Sequence, residues 1–284
     1  MKTYSPRLLL EEGIVFPEGP RWHEGRLWFS DMHAHRIRAV DTKGKAELMA
    51  ELDDRPSGLG WLPDGGLLVV RFRERDLVLQ TKQGAKPYAD LAPLASGFIN
   101  DMVVDGKGRA YVGNFGYDRH KGEPPRTTCL VRVDPDGRVT RAAEDLFFPN
   151  GSVITADGRA LIIGETQAHR LTAFDLAPDG TLSNRRVWAS LDERVFPDGM
   201  CLDAEGAIWV SDARGPALLR VREGGTVDRT VSTGTRYAFA CMLGGADRRT
   251  LFACTSTGSG PAMADKRDGA IETVRVDVPG AGLP

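Results

Sequence analysis

Short apolar runs alternate with turns carrying glycine and aspartate along the chain, and this phrase repeats six times. The copies are FPEGPRWHEGRLWFSD (Phe16–Asp31), RPSGLGWLPDGGLLVV (Arg55–Val70), FINDMVVDGKGRAYVGN (Phe98–Asn114), FPNGSVITADGRALIIGE (Phe148–Glu165), FPDGMCLDAEGAIWVSD (Phe196–Asp212) and the weaker YAFACMLGGADRRTLFAC (Tyr237–Cys254). DG or EG between runs of β-formers marks a tight hairpin, so each phrase predicts two antiparallel strands. A third strand with period-2 alternation follows (RIRAVD, LVRVD, RLTAFD, ALLRV), then a polar turn and a less regular fourth strand. Four antiparallel strands recurring every ~40–50 residues are the signature of a propeller blade. No long stretch has a period of 3.6, so the fold class is all-β. A β-sandwich leaves unexplained why the turns recur six times at one place.

The predicted architecture is one domain, residues 1–284, forming a six-bladed β-propeller. Blade six supplies three strands, the third in GAIETVRVDV (Gly269–Val278). The segment RLLLEE (Arg7–Glu12) precedes the first phrase where every other blade has its fourth strand. It is therefore expected to complete blade six, closing the ring and removing sheet edges.

Strand order places the link into each blade, and the loop between its second and third strands, on one face. The entry links read PEG, PSG, IND, PNG and PDG, with Glu18, Ser57, Asn100, Asn150 and Asp198 at equivalent positions. In a ring these positions converge on the axis. Two carboxylates and two amides meeting there would repel or take up protons unless a cation answered them. A hard divalent ion fits an oxygen set, and calcium is expected, with magnesium, manganese or zinc as alternatives. The lack of His or Cys at these positions argues against a zinc-type site. Turn chemistry alone also favours Asn, Asp and Gly, but Glu18 is a poor turn residue.

Bulk properties narrow the partners. A formal charge of −2 leaves no broad basic field, which excludes nucleic acid as a partner. No run approaches 18 apolar residues, and Met1–Gly13 has no signal-peptide pattern, so neither membrane insertion nor export is expected. The four cysteines, Cys129, Cys201, Cys241 and Cys254, form no scaffold or CxxC pattern and read as buried, reduced thiols of a cytoplasmic protein. The expected partner is a small molecule, and the chain is expected to be a monomer or small homo-oligomer.

FPEGP (Phe16–Pro20), WFSD (Trp28–Asp31), IND (Ile99–Asp101), FPNG (Phe148–Gly151) and FPDG (Phe196–Gly199), in this order, resemble the SMP-30/gluconolactonase, or regucalcin-like, family over essentially the whole chain. Members are six-bladed propellers that hydrolyse lactones with a bound divalent metal. The resemblance implies Glu18, Asn150 and Asp198 as metal ligands, Asn100 as a ligand or substrate contact, and Asp198 as the acid/base. Sugar lactonases usually carry an arginine two residues before the blade-three asparagine; here Phe98 stands there. INDMVVD is more similar to the bacterial drug-responsive lactonase branch, which implies a less polar lactone than an aldonolactone.

The expected reaction is lactone hydrolysis, with the ion acting as Lewis acid and Asp198 as general base. A cation lowers a carboxylate's basicity, so activation of the water by the ion alone is the alternative. Asp101 is a weaker catalytic candidate, orienting a ligand or a water. Phe98, Tyr117, His33 and Phe239 are expected to contact substrate along with Asn100. His35, His120, Thr166, His169, Asp212, Arg214, Thr255 and Ser256 are further rim positions, and the long stretch 114–128 is the lid candidate. Phosphoester or organophosphate hydrolysis at the same site, or a binding propeller with a structural ion, are the competing functions. No GxSxG elbow, P-loop or dinucleotide fingerprint is present.

Overall fold

The computed structural model describes residues 2–118, 121–260 and 262–284. Six antiparallel sheets form the blades of a propeller, each starting at one of the six phrases. Blade one runs through Pro17–His23, Arg26–Asp31, Arg36–Val40 and Ala46–Glu51, from the axis outward, and the other five follow the same order. Among the described residues, the α-helix is the single turn Met263–Lys266, and no helix is long and apolar enough to cross a membrane.

The ring closes as the repeat arithmetic requires. Arg7–Leu10 pairs antiparallel with Ala270–Arg275 and becomes the outer strand of blade six. The strand stops two residues short of the expected Glu12. A second clasp was not foreseen: Lys2–Tyr4 adds a fifth strand to blade five, parallel to Val227–Ser232. Tyr4 sits edge-on to Trp209, and both Lys2 Nζ and Tyr4 Oη donate to Asp277 at 2.8 Å. The C-terminal tail crosses the hairpin face, exchanging backbone hydrogen bonds between Ile154 and Leu283 and joining Ala281 to Leu202. All four cysteines are buried and unbonded; Cys201 and Cys241 Sγ atoms lie 3.8 Å apart between blades five and six.

The inner strands share one irregularity that positions the site. In blade one Glu18 pairs with Ser30 and Arg21 with Trp28, so Gly19 and Pro20 together oppose Phe29. The same one-residue surplus follows Pro56, Ile99, Pro149, Pro197 and Ala238. Each is a β-bulge, which bends a strand and redirects its side chains. These six bulges act on the residue after the proline, or after Ile99 and Ala238 where blades three and six lack one, and in all blades but the second that residue reaches the channel mouth. The glycine of the motif then faces the next blade: a Cβ on Gly19 would collide with the Ser57 carbonyl, and one on Gly151 with the Asp198 carbonyl. Close approach of neighbouring backbones therefore requires glycine there.

Candidate active site at the channel mouth

A cavity of about 360 Å³ opens on the face of the entry links. Glu18, Asn100, Asn150 and Asp198 all line it, contributed by blades one, three, four and five. Ser57 lies behind Asn100, and blade six offers Phe239 at the equivalent position, so the polar ring is open on one side.

A chain of hydrogen bonds orients the amides. Ser57 Oγ donates to Asn100 Oδ1 at 3.1 Å, and Asn100 Nδ2 donates to Asn150 Oδ1 at 2.8 Å. Asn150 Nδ2 in turn donates to Thr166 Oγ1 at 3.2 Å, and Thr166 Oγ1 to the Pro197 carbonyl at 2.7 Å. Each amide oxygen accepts one of these bonds and keeps a second lone pair. The chain also ties blades two to five together at the hub.

Glu18 carries the electrostatic signature of the site. Burial raises its carboxyl well above the usual carboxylate range, and the charges of Asp198 and then Asp101 raise it further. The Gly19 N–H and Arg21 oppose this without reversing it. Two carboxylates and two amides with spare lone pairs match a hard divalent cation, whose charge would relieve the strain on Glu18. None of the four floor residues is His or Cys, so every side-chain donor they offer is an oxygen or an amide.

Asp101 stands behind the floor rather than on it. Its Oδ1 accepts from Arg21 Nη2 at 2.6 Å and from the Met102 N–H at 2.8 Å, and it does not line the cavity. Arg21 also donates to the carbonyls of Pro20, Leu59 and Met102, so this buried pair joins blades one, two and three. Through its charge Asp101 acts on Glu18.

Above the floor the wall is aromatic. Phe16, Phe72, Phe115, Phe148, Phe196 and Phe239 line the cavity with Met32. Tyr117 joins them from the 114–128 loop, its hydroxyl accepting from Gln167 Nε2 at 2.9 Å. Phe98 packs on Phe72 with ring centroids 4.9 Å apart and supports the wall from outside the lining. His33 lines the cavity against Phe16, and burial, then the Arg55 charge, push its imidazole down to about 4.

The remaining rim positions divide. Thr166 and Arg214 face the cavity; His35, His169, Thr255 and Ser256 do not. Asp212 is structural: its Oδ1 accepts from the Phe196 and Arg214 N–H groups, as Asp31 Oδ1 accepts from Val15 and Phe16 in blade one. These carboxylates pin the entry links that carry the aromatic wall. His120 lies outside the described residues.

Sequence reasoning missed Arg55, most of the phenylalanine wall, and Ser259 and Gly260 of the blade-six loop. The signal for the first two was present. Phe16, Arg55, Phe98, Phe148, Phe196 and Tyr237 fill one column of the repeat, one residue before the proline or its equivalent.

A sequence model of the SMP-30/Gluconolactonase/LRE-like region matches residues 16–257. The chain is 27% identical to pentonolactonase XacC of Haloferax volcanii, over 94% of this chain and 92% of that one. It is 28% identical to regucalcin of Danio rerio, over 89% and 86%. The crystal structure of a calcium-binding protein, regucalcin from Agrobacterium tumefaciens, superposes with a TM-score of 0.84 at 20% identity, covering 100% of this chain and 98% of that one.

Proposed function

Because the chain belongs to the SMP-30/gluconolactonase/LRE-like family, we propose that it is a metal-dependent lactonase acting at the hub of the propeller. Similarity to a pentonolactonase over 94% of this chain and 92% of that one supports the reaction class. The observation that carries the site is the convergence of Glu18, Asn100, Asn150 and Asp198 on the floor of one cavity.

A divalent cation, calcium in the first place, held by Glu18, Asn150, Asp198 and Asn100, supplies Lewis acidity toward the lactone carbonyl when bound. Asp198 accepts a proton from the attacking water as its oxygen adds to the carbonyl carbon. The ring C–O bond then breaks, and the proton returns to the leaving oxygen to give the hydroxy acid. Asn100 and Asn150 cannot titrate, so they hold oxygen donors in place without competing for that proton. The aromatic wall excludes water from the rest of the cavity and favours a lactone with an apolar body over a polyhydroxylated one.

The test is hydrolysis of a panel running from aldonolactones to dihydrocoumarin, with and without EDTA. Chelation is expected to abolish turnover and calcium to restore it. Asp198→Asn is expected to bind calcium in calorimetry yet lose about 10²-fold or more in kcat. If no lactone opens with any divalent cation, or Asp198→Asn keeps wild-type rates, the reading fails.

A further inference from the structure

The cavity is lined by four charged side chains at two levels. Glu18 and Asp198 follow the entry proline, whereas Arg55 precedes it and Arg214 lies on the loop after the second strand of blade five, which puts both arginines nearer the face of the entry links. Arg55 holds the repeat position that Phe16, Phe148 and Phe196 fill in other blades, and Arg214 follows the second strand of blade five. Blades two and five face each other across a six-membered ring, so the two cations approach the cavity from opposite sides.

Neither guanidinium has an ion pair or hydrogen bond among the described residues. Arg55 Nε is buried with no partner, and the Arg214 guanidinium lies 4.0 Å over the Phe196 ring. Many other arginines are paired, such as Arg71 with Asp53 and Asp76, Arg170 with Glu165 and Arg275 with Asp247, and among the charged residues of the cavity these two are the cations. The acids next in sequence are committed to the backbone. Asp54 Oδ2 accepts from the Arg73 and Glu74 N–H groups, and Asp212 Oδ1 from Phe196 and Arg214. Burial and then the nearby Arg73 charge lower the Arg55 pKa, the Asp54 charge opposes them without reversing the direction, and a bound anion would offset the remainder.

We propose that the outer level of the cavity is an anion subsite, in which Arg55 and Arg214 receive a carboxylate borne by a lactone whose apolar body lies on the phenylalanine wall. The inference rests on the lactonase reading and names its substrate class. Once a divalent cation answers Glu18 and Asp198, the two arginine charges have no counter-charge in the cavity. A guanidinium presents planar, paired donors to a carboxylate, and one stacked on an aromatic ring keeps its edge donors available. An apolar wall between the cations and the floor separates the anionic end of the substrate from its lactone end.

The experiment compares kcat/KM of the calcium-loaded protein on 3,4-dihydrocoumarin and on a ring-carboxylated dihydrocoumarin, for wild type, Arg55→Gln, Arg214→Gln and Arg55→Lys. Calorimetry with the matching carboxylated and uncharged lactams measures binding independently of turnover. The expected preference for the carboxylated lactone is about tenfold or more, falling toward one in Arg55→Gln and partly kept in Arg55→Lys. The carboxylated lactam should bind more tightly than its uncharged counterpart, and less so as salt rises. Equal turnover of both lactones, or a preference that survives both glutamine variants, overturns the subsite and leaves the lactonase reading intact. Arginine-dependent binding of the carboxylated lactam without turnover of either lactone overturns the lactonase reading and supports the subsite. Absence of both turnover and binding overturns both.

Discussion

Glu18 illustrates how a side chain proposed to hold a metal ion can oppose the stability of its own fold. Its carboxyl is buried beside Asp198 and lies well above the ordinary value of 4.5. A group whose folded pKa is raised favours the fold when protonated, and that contribution is lost as pH rises from the unfolded value toward the folded one. In chelator, Glu18 therefore costs stability above about pH 4.5. Glu18→Gln removes that cost and keeps the shape. Scanning calorimetry in EDTA at pH 7 is expected to show the variant melting ~2–4 °C above wild type, a gain of about 1 kcal/mol. Near pH 4 the two should converge. Added calcium should reverse the order, because the variant would lack a charged ligand of the proposed ion. A variant less stable than wild type in EDTA would mean that Glu18 is not the strained group.

At the scale of elements, closure of the ring falls to two short N-terminal strands with different duties. Lys2–Tyr4 adds a parallel strand to a blade already four strands wide. Arg7–Leu10 supplies the fourth strand of blade six and covers the edge of Ala270–Arg275. Removing residues 1–5 is expected to cost about 1–2 kcal/mol, through lost contacts to Asp277 and Trp209, and to leave a monodisperse protein. Removing residues 1–11 exposes a strand edge and should give oligomers or aggregate in size-exclusion chromatography. If the two truncations behave alike, Arg7–Leu10 does not close the ring.

The closing strand was legible because its place was empty in the repeat. Lys2–Tyr4 was not, since three residues carry no readable alternation and parallel addition to blade five follows no repeat. Glu18, Asn100, Asn150 and Asp198 were legible as a column. The bulges that aim them were not, because a bulge is a mismatch between two paired strands and neither strand shows it alone. Arg55 was not legible as a site residue because it breaks its column, standing before proline where three other blades carry phenylalanine. Part of the rim was legible: the 114–128 stretch brings Phe115 and Tyr117 to the cavity, while the blade-six loop brings Ser259 and Gly260. Asp268, which ties that loop down through Ser256, Thr257 and Arg236, has no counterpart in the other phrases.

Across the whole molecule the hub changes character around the ring. Ser30 Oγ donates to the Ser57 carbonyl at 2.6 Å, Arg21 links blades one to three, and the amide chain continues to Pro197 in blade five. Blade six has no part in these polar links and meets blade one through apolar contacts such as Trp22 on Phe252, with centroids 5.5 Å apart, and Phe239 on Phe16. An ion held by blades one, three, four and five would thus span the blade-six gap from both sides. Binding only to the folded ring, it adds about 2.7 kcal/mol at a hundred times its Kd. Hydrogen exchange should locate that gain: protection is expected to rise in Pro17–His23, Ile99–Val104, Pro149–Ile154 and Pro197–Leu202, and far less in Tyr237–Gly244. The outer strands, furthest from the proposed ion, should change little. A calcium titration that protects all six inner strands equally would place the ion elsewhere, and one that protects none would remove the ion from the hub.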